Sequence, residues 1–281
     1  MKRGSLLIQD LDLQENQKDY LSDLVPHLQT QIGDRLLSIV LFGSVVKGGF
    51  TKGISDFDMI IVVDDTVDSG LMRTIVKEAQ SLAKKHGIVS SIEDEFEGIP
   101  QFIMAQTGMF TSQFICRRRD FVSGKFTKIF GANPLLAKLL SPSSQVLGSV
   151  LKGSRTVYGE DLASEIEVTE STRFDIVKSL IMNELLVGLS LFYYPFSKNA
   201  TKFAMEATKW SAHMAGYMAT GESRSLTGSV EVLASKGISL DHLKRLEELR
   251  NNYGPNLSFI LSAPKAIASM HISMLDEAQN L

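Results

Sequence analysis

The stretch from Leu36 to Val63 constrains this chain more than any other: an apolar run, Leu36 to Phe42, stops at Gly43-Ser44, and a second, Phe57 to Val63, opens on Asp56-Phe57-Asp58. Two short apolar runs rich in Ile and Val read as buried strands. Side chains alternate along a strand, so Asp56 and Asp58 share one face while Phe57 and Met59 take the other. Aspartate is a poor strand former and two neighbouring carboxylates repel, so the pair calls for a compensating cation. Carboxylate oxygens at that spacing suit Mg²⁺ or Mn²⁺. Gly43 at the strand exit lets the backbone approach a ligand closely, and a short helix starting at Ser44 would present N–H groups and a hydroxyl to a phosphate. The spacer, with Gly48, Gly49 and Gly53, has to return the chain so that the aspartates stand beside that cradle.

The flanking periodicities fill in an α/β opening. A helix is predicted over 13–32, with Pro26 in its middle and Gly33 as its stop, and another over 71–85, ending on Lys84-Lys85-His86-Gly87. A third strand is expected at 88–96, a fourth at 109–116, short helices at 135–140 and 146–152, and a β-like segment at 154–162. From Arg173 onward the spacing is helical: 174–194, 201–219, 227–235, 240–251 and 264–279, separated by glycines and prolines. The reading is an α/β (α+β) domain with a mixed sheet over residues 1–165, followed by an all-α helical bundle over 166–281.

Leu41-Phe42-Gly43-Ser44, a glycine-containing spacer, Ser55-Asp56-Phe57-Asp58 and a following strand together resemble the signature of the DNA polymerase β-type nucleotidyltransferase superfamily. The two-domain layout is similar to that of aminoglycoside adenylyltransferases and related small-molecule nucleotidyltransferases. The resemblance implies that Asp56 and Asp58 hold Mg²⁺ (or Mn²⁺), that Gly43 and Ser44 bind the triphosphate of ATP or another nucleoside triphosphate, and that a third carboxylate acts as base. The window for that base reads GIVSSIEDEFEGIP; Glu93, Asp94 and Glu95 all lie in it, and Glu93 is chosen. The implied activity is metal-dependent transfer of a nucleoside monophosphate, AMP from ATP, to a hydroxyl of a small molecule. Two alternatives stay open: a protein or RNA acceptor, and a nucleotide-binding regulatory protein that lacks turnover because the third acid sits in an irregular setting.

Composition narrows the remaining classes. The formal net charge of −3 gives no global footprint for nucleic acid, and Arg117-Arg118-Arg119 reads as a solvated cluster. One cysteine, Cys116, excludes an intrachain disulfide and a thiolate metal cluster. The apolar run Leu185–Phe196 is shorter than a membrane helix requires and the N-terminus lacks a signal-peptide pattern, so a cytoplasmic protein with no membrane partner is expected. The absence of G-x-x-x-x-G-K-[ST] excludes a P-loop nucleotidase, and a glycosyltransferase Asp-x-Asp site would leave Gly43-Ser44 unexplained. The five histidines show no ligand spacing, and Trp210 with Phe192-Tyr193-Tyr194 reads as core.

Overall fold

The computed structural model describes residues 7–8, 11–47, 57–88, 112–167 and 171–277. The chain divides into two compact units, Met1–Pro134 with Gly153–Val168, and Leu135–Lys152 with Thr169–Leu281.

In the first unit, helix α1 (Glu15–Ile32) leads into strand β1 (Leu36–Leu41), the single turn α2 (Ser44–Lys47) and strand β2 (Met59–Val63). Helix α3 (Ser69–Lys85) follows, then β3 (Gln113–Arg117), α4 (Arg118–Val122) and α5 (Phe126–Ile129). Helix α1 runs through Pro26 because Tyr20, Leu21, Leu24 and Leu28 are buried along one face, and that burial outweighs one missing N–H. Helix α3 starts where Asp68 caps it, its Oδ1 accepting from the Gly70 and Leu71 amides at 2.8 and 3.0 Å.

After helices α6 (Pro134–Leu140) and α7 (Ser143–Lys152), strand β4 (Arg155–Gly159) returns to the sheet. The order is β3-β2-β1-β4, with β1 antiparallel to both neighbours and β2 parallel to β3, so the sheet is mixed. Leu41 pairs with Met59 and Val40 with Ile60. One face, carrying Ile39, Leu41, Met59, Ile61 and Val63, joins the α1 and α3 side chains in a continuous core. The opposite face carries Val40, Ile60, Val62, Phe114 and Cys116, all buried.

The second unit is helical: α8 (Arg173–Tyr193), α9 (Thr201–Thr220), α10 (Leu226–Ser235), α11 (Asp241–Asn251) and α12 (Leu257–Glu277). Helices α8, α9 and α12 pack mutually, and α10 lies against α9. Gly216 permits that last contact, since a Cβ there would meet Ser229 at 2.8 Å. Thr172 and Asp175 form a reciprocal cap for α8, with amide-to-side-chain hydrogen bonds of 3.2 and 3.1 Å.

Two sequence expectations are revised. Helix α12 begins at Leu257, seven residues before Pro264, because Asn256 Oδ1 accepts the Phe259 amide at 2.9 Å and burial of Phe259, Ile260 and Ala263 carries the helix through the proline. Phe192 is 64% exposed rather than core, because it lies on the outer face of α8. Helix α8, with 21 residues, is long and apolar enough to cross a membrane by length and composition alone, a test that the core helix of a folded domain also passes. The strand expected at 109–116 is β3 at Gln113–Arg117; of the strand expected at 88–96, residues 89–96 lie outside the described residues.

Candidate active site

The strand pair β1–β2 sets the site. Pairing continues one step beyond β1, where the Phe42 amide donates to the Asp58 carbonyl at 3.1 Å, so Asp58 stands opposite the point at which the chain turns away through Gly43. Phe57 is buried on the helix-covered face, its ring meeting Tyr20 edge-on at 5.5 Å. By alternation Asp58 takes the other face, where it is half-buried. On the far side of β2, the Met59 amide donates to the Ser112 carbonyl at 2.8 Å, so the start of β2 is held from both neighbours.

Gly43 has φ +73°, and a Cβ there would overlap Asp58 Oδ2 and lie 3.1 Å from its Cγ. Both the backbone conformation and the space therefore require glycine, and the space is taken by a carboxylate. Immediately after it, the Val46 and Lys47 amides donate to the Gly43 carbonyl at 3.3 and 3.2 Å, which winds Ser44–Lys47 into one helical turn; buried Val45 anchors that turn in the core. Gly43 and Asp58 are thus in contact, with Ser44 following Gly43 as the first residue of α2. Asp56 and Glu93 lie outside the described residues.

Beneath Asp58 the sheet face is aromatic, a feature that sequence reasoning missed. Phe42, Phe114 and Phe130 are buried together, with Phe114 and Phe130 edge-to-face at 5.1 Å and Phe42 6.1 Å from Phe114. The signal was present in the alternation of Phe42 with Val40 and of Phe114 with Cys116. The cluster makes an apolar floor for one carboxylate, and the residues of β3 add no acid to it. Cys116 is buried on this face, and burial pushes its thiol pKa well up, with Asp120 acting in the same direction.

The other candidate groups are employed structurally. The Arg117 guanidinium donates to the Val67 carbonyl at 2.9 and 3.1 Å, and Arg118 pairs with Glu165 at 3.5 Å and Glu160 at 3.8 Å. His27 meets Glu78 at 3.1 Å and His86 meets Asp23 at 2.9 Å. His242 and His271 are buried in the helical unit, hydrogen-bonded to Thr208 and Ser179 respectively. Among the described residues no group of three or more His, Cys, Asp or Glu side chains is placed to hold a metal ion. Asp58 fits the hard-oxygen requirement of Mg²⁺ or Mn²⁺ by its donor type, and the missing Cβ of Gly43 leaves room for its carboxylate.

Residues 21–104, from within α1 past the end of α3, match the nucleotidyltransferase domain family. That matched segment is similar to a domain of the nucleotidyltransferase class, the class that the Gly43-Ser44 and Asp56-Phe57-Asp58 pattern resembles. Across the whole chain the fold is similar to that of spectinomycin adenyltransferase AAD(9) from Enterococcus faecialis, solved with ATP and spectinomycin. That match has a TM-score of 0.54 at 13% identity and covers 92% of this chain and 99% of the other. The shared architecture is a nucleotidyltransferase-like domain followed by a helical bundle. No curated protein matches the sequence significantly.

Proposed function

We propose that this protein is a Mg²⁺-dependent nucleotidyltransferase that moves AMP from ATP to a hydroxyl of a small molecule. The observation that carries the reading is the half-buried Asp58 carboxylate held against Gly43, beside Ser44, at the start of β2. In the reaction the acceptor oxygen attacks the α-phosphorus, the bond from that phosphorus to the bridging α–β oxygen breaks, and pyrophosphate leaves with the bond electrons. Asp58, with Asp56, would hold the metal, which when bound neutralises phosphate charge and polarises the attacking hydroxyl. Ser44 and the backbone beside it donate to the leaving phosphates. Glu93 takes the acceptor's proton, with Asp94 and Glu95 as its neighbours in the same window.

Two observations weigh on the acceptor. The fold likeness to an adenyltransferase solved with ATP and a small-molecule antibiotic supports ATP and a small hydroxyl compound. The Arg117 guanidinium donates to the Val67 carbonyl, and the exposed Arg118 pairs with Glu165, which lowers the positive charge this cluster offers to a protein or RNA acceptor. A second reading, a nucleotide sensor without turnover, draws support from the absence of a carboxylate on β3 beside β2.

The test is ATP binding with and without Mg²⁺, on the parent and on Asp58→Asn, followed by transfer of labelled nucleotide to a panel of small hydroxyl compounds. Mg²⁺-dependent binding weakened about 100-fold in the variant is expected, as for a lost charge interaction worth a few kcal/mol. Binding without transfer would select the sensor reading, and binding indifferent to Asp58 would overturn both.

A further inference from the structure

The helical unit carries an apolar surface outside the residues assigned to nucleotidyl transfer. On α8 every exposed position from Phe174 to Phe192 is apolar or glycine: Phe174, Val177, Ile181, Leu185, Gly188, Leu191 and Phe192. The main line of these, Phe174-Val177-Ile181-Leu185-Gly188-Phe192, is spaced 3, 4, 4, 3 and 4 residues apart, which averages one helical turn and keeps the stripe on one side of the helix for five turns. The opposite face, with Ile176, Met182, Leu186 and Val187, is already buried against the rest of the unit. A helix apolar on both faces wants a second partner.

We infer that this face is a homodimer interface in which α8 packs antiparallel against α8 of a second copy, about a two-fold axis near Ile181. Area supports a second copy: the stripe side chains are 39–65% exposed and Phe196, just beyond the helix, is 79% exposed. Together they present roughly 800 Å² of apolar surface, which is what one partner contributes to a standard interface. Gly188 supports close helix contact. It lies mid-helix, where glycine costs stability, and among the described residues nothing lies within 4 Å of the Cβ position, so no described neighbour requires it. Phe174 and Gly188 each lie two turns from Ile181, so an antiparallel pair sets the largest side chain of one copy over the missing side chain of the other. A lipid surface fits less well, because the chain is net negative and Glu184 borders the stripe, half-buried.

The test is the mass of the full chain in solution by sedimentation and light scattering across a wide concentration range. Twice 31.0 kDa is expected for the parent, and 31.0 kDa for Ile181→Asp. Gly188→Gln guards against a folding artefact: it raises helix propensity at an exposed site, so at a concentration where both chains are monomeric its thermal midpoint should match or exceed the parent's, while dimerisation weakens at least tenfold. An Ile181→Cys variant should cross-link to itself under mild oxidation much faster than Phe192→Cys, because only the former lies near the axis. A monomeric parent, or an Ile181→Asp dimer, overturns the interface; equal cross-linking at both positions overturns the antiparallel arrangement. A monomer that floats with lipid vesicles assigns the stripe to a membrane surface instead and likewise overturns the dimer.

Discussion

Replacing Gly43 with alanine separates two consequences of one geometry. The first is backbone strain, since φ at Gly43 is +73°, a region that costs an L-residue about 1–2 kcal/mol. The second is displacement: the new Cβ overlaps Asp58 Oδ2, and restoring van der Waals contact moves the carboxylate by about an ångström, enough to cost roughly 100-fold where geometry matters. Gly87 isolates the first effect, because its φ is +67° and nothing lies within 4 Å of its Cβ position. In chemical denaturation Gly87→Ala should lose about 1–2 kcal/mol and leave Mg²⁺-dependent ATP binding untouched. Gly43→Ala should lose more, and should weaken ATP binding in Mg²⁺ by about two orders of magnitude. Adding Asp58→Ala removes the overlapping oxygen, so in that background the stability cost of Gly43→Ala should fall to the Gly87→Ala value. The reasoning is refuted if Gly43→Ala matches Gly87→Ala in both stability and nucleotide binding.

Two further outcomes follow from the helical unit. Burial, with a smaller contribution from Arg245, pushes the His242 pKa down to about 4, so between pH 6.5 and 4 the unfolded chain binds the extra proton. The stability this histidine contributes is therefore present above pH 6.5 and lost as pH falls toward 4, by on the order of 2–3 kcal/mol, and His242→Gln should flatten that part of a stability–pH curve. Asn256→Ala removes the acceptor for the Phe259 amide at the start of α12 and should cost about 1 kcal/mol in denaturant titration with ATP binding unaffected.

What was legible in the sequence was whatever local period and spacing carry. The runs 36–42 and 57–63 gave β1 and β2, and the glycine at the exit of the first run gave the turn that stands against Asp58. What escaped depended on partners distant in sequence. Pro264 read as a helix start, but capping by Asn256 and the burial of Phe259 placed the start a full seven residues earlier. Arg117 read as solvated with its neighbours, yet its guanidinium is held by the Val67 carbonyl, which no local pattern links to it, while Arg118 is exposed as read and pairs at the surface with Glu160 and Glu165. Phe192 read as core because hydrophobicity gives a residue's preference and not which side of its helix is already covered.

The return of β4 to the sheet gives the chain an unusual order of construction. The strand that flanks β1 on its outer side comes from residues 155–159, after the chain has already contributed two helices to the other unit. At a synthesis rate of roughly 5–20 residues per second, the outer edge of β1 waits on the order of ten seconds for its partner. During that interval Leu36–Leu41, a buried apolar strand in the finished protein, offers its hydrogen-bonding edge to whatever is near. A fragment ending at Pro134, however well it preserves the nucleotide residues, would leave that edge open for good.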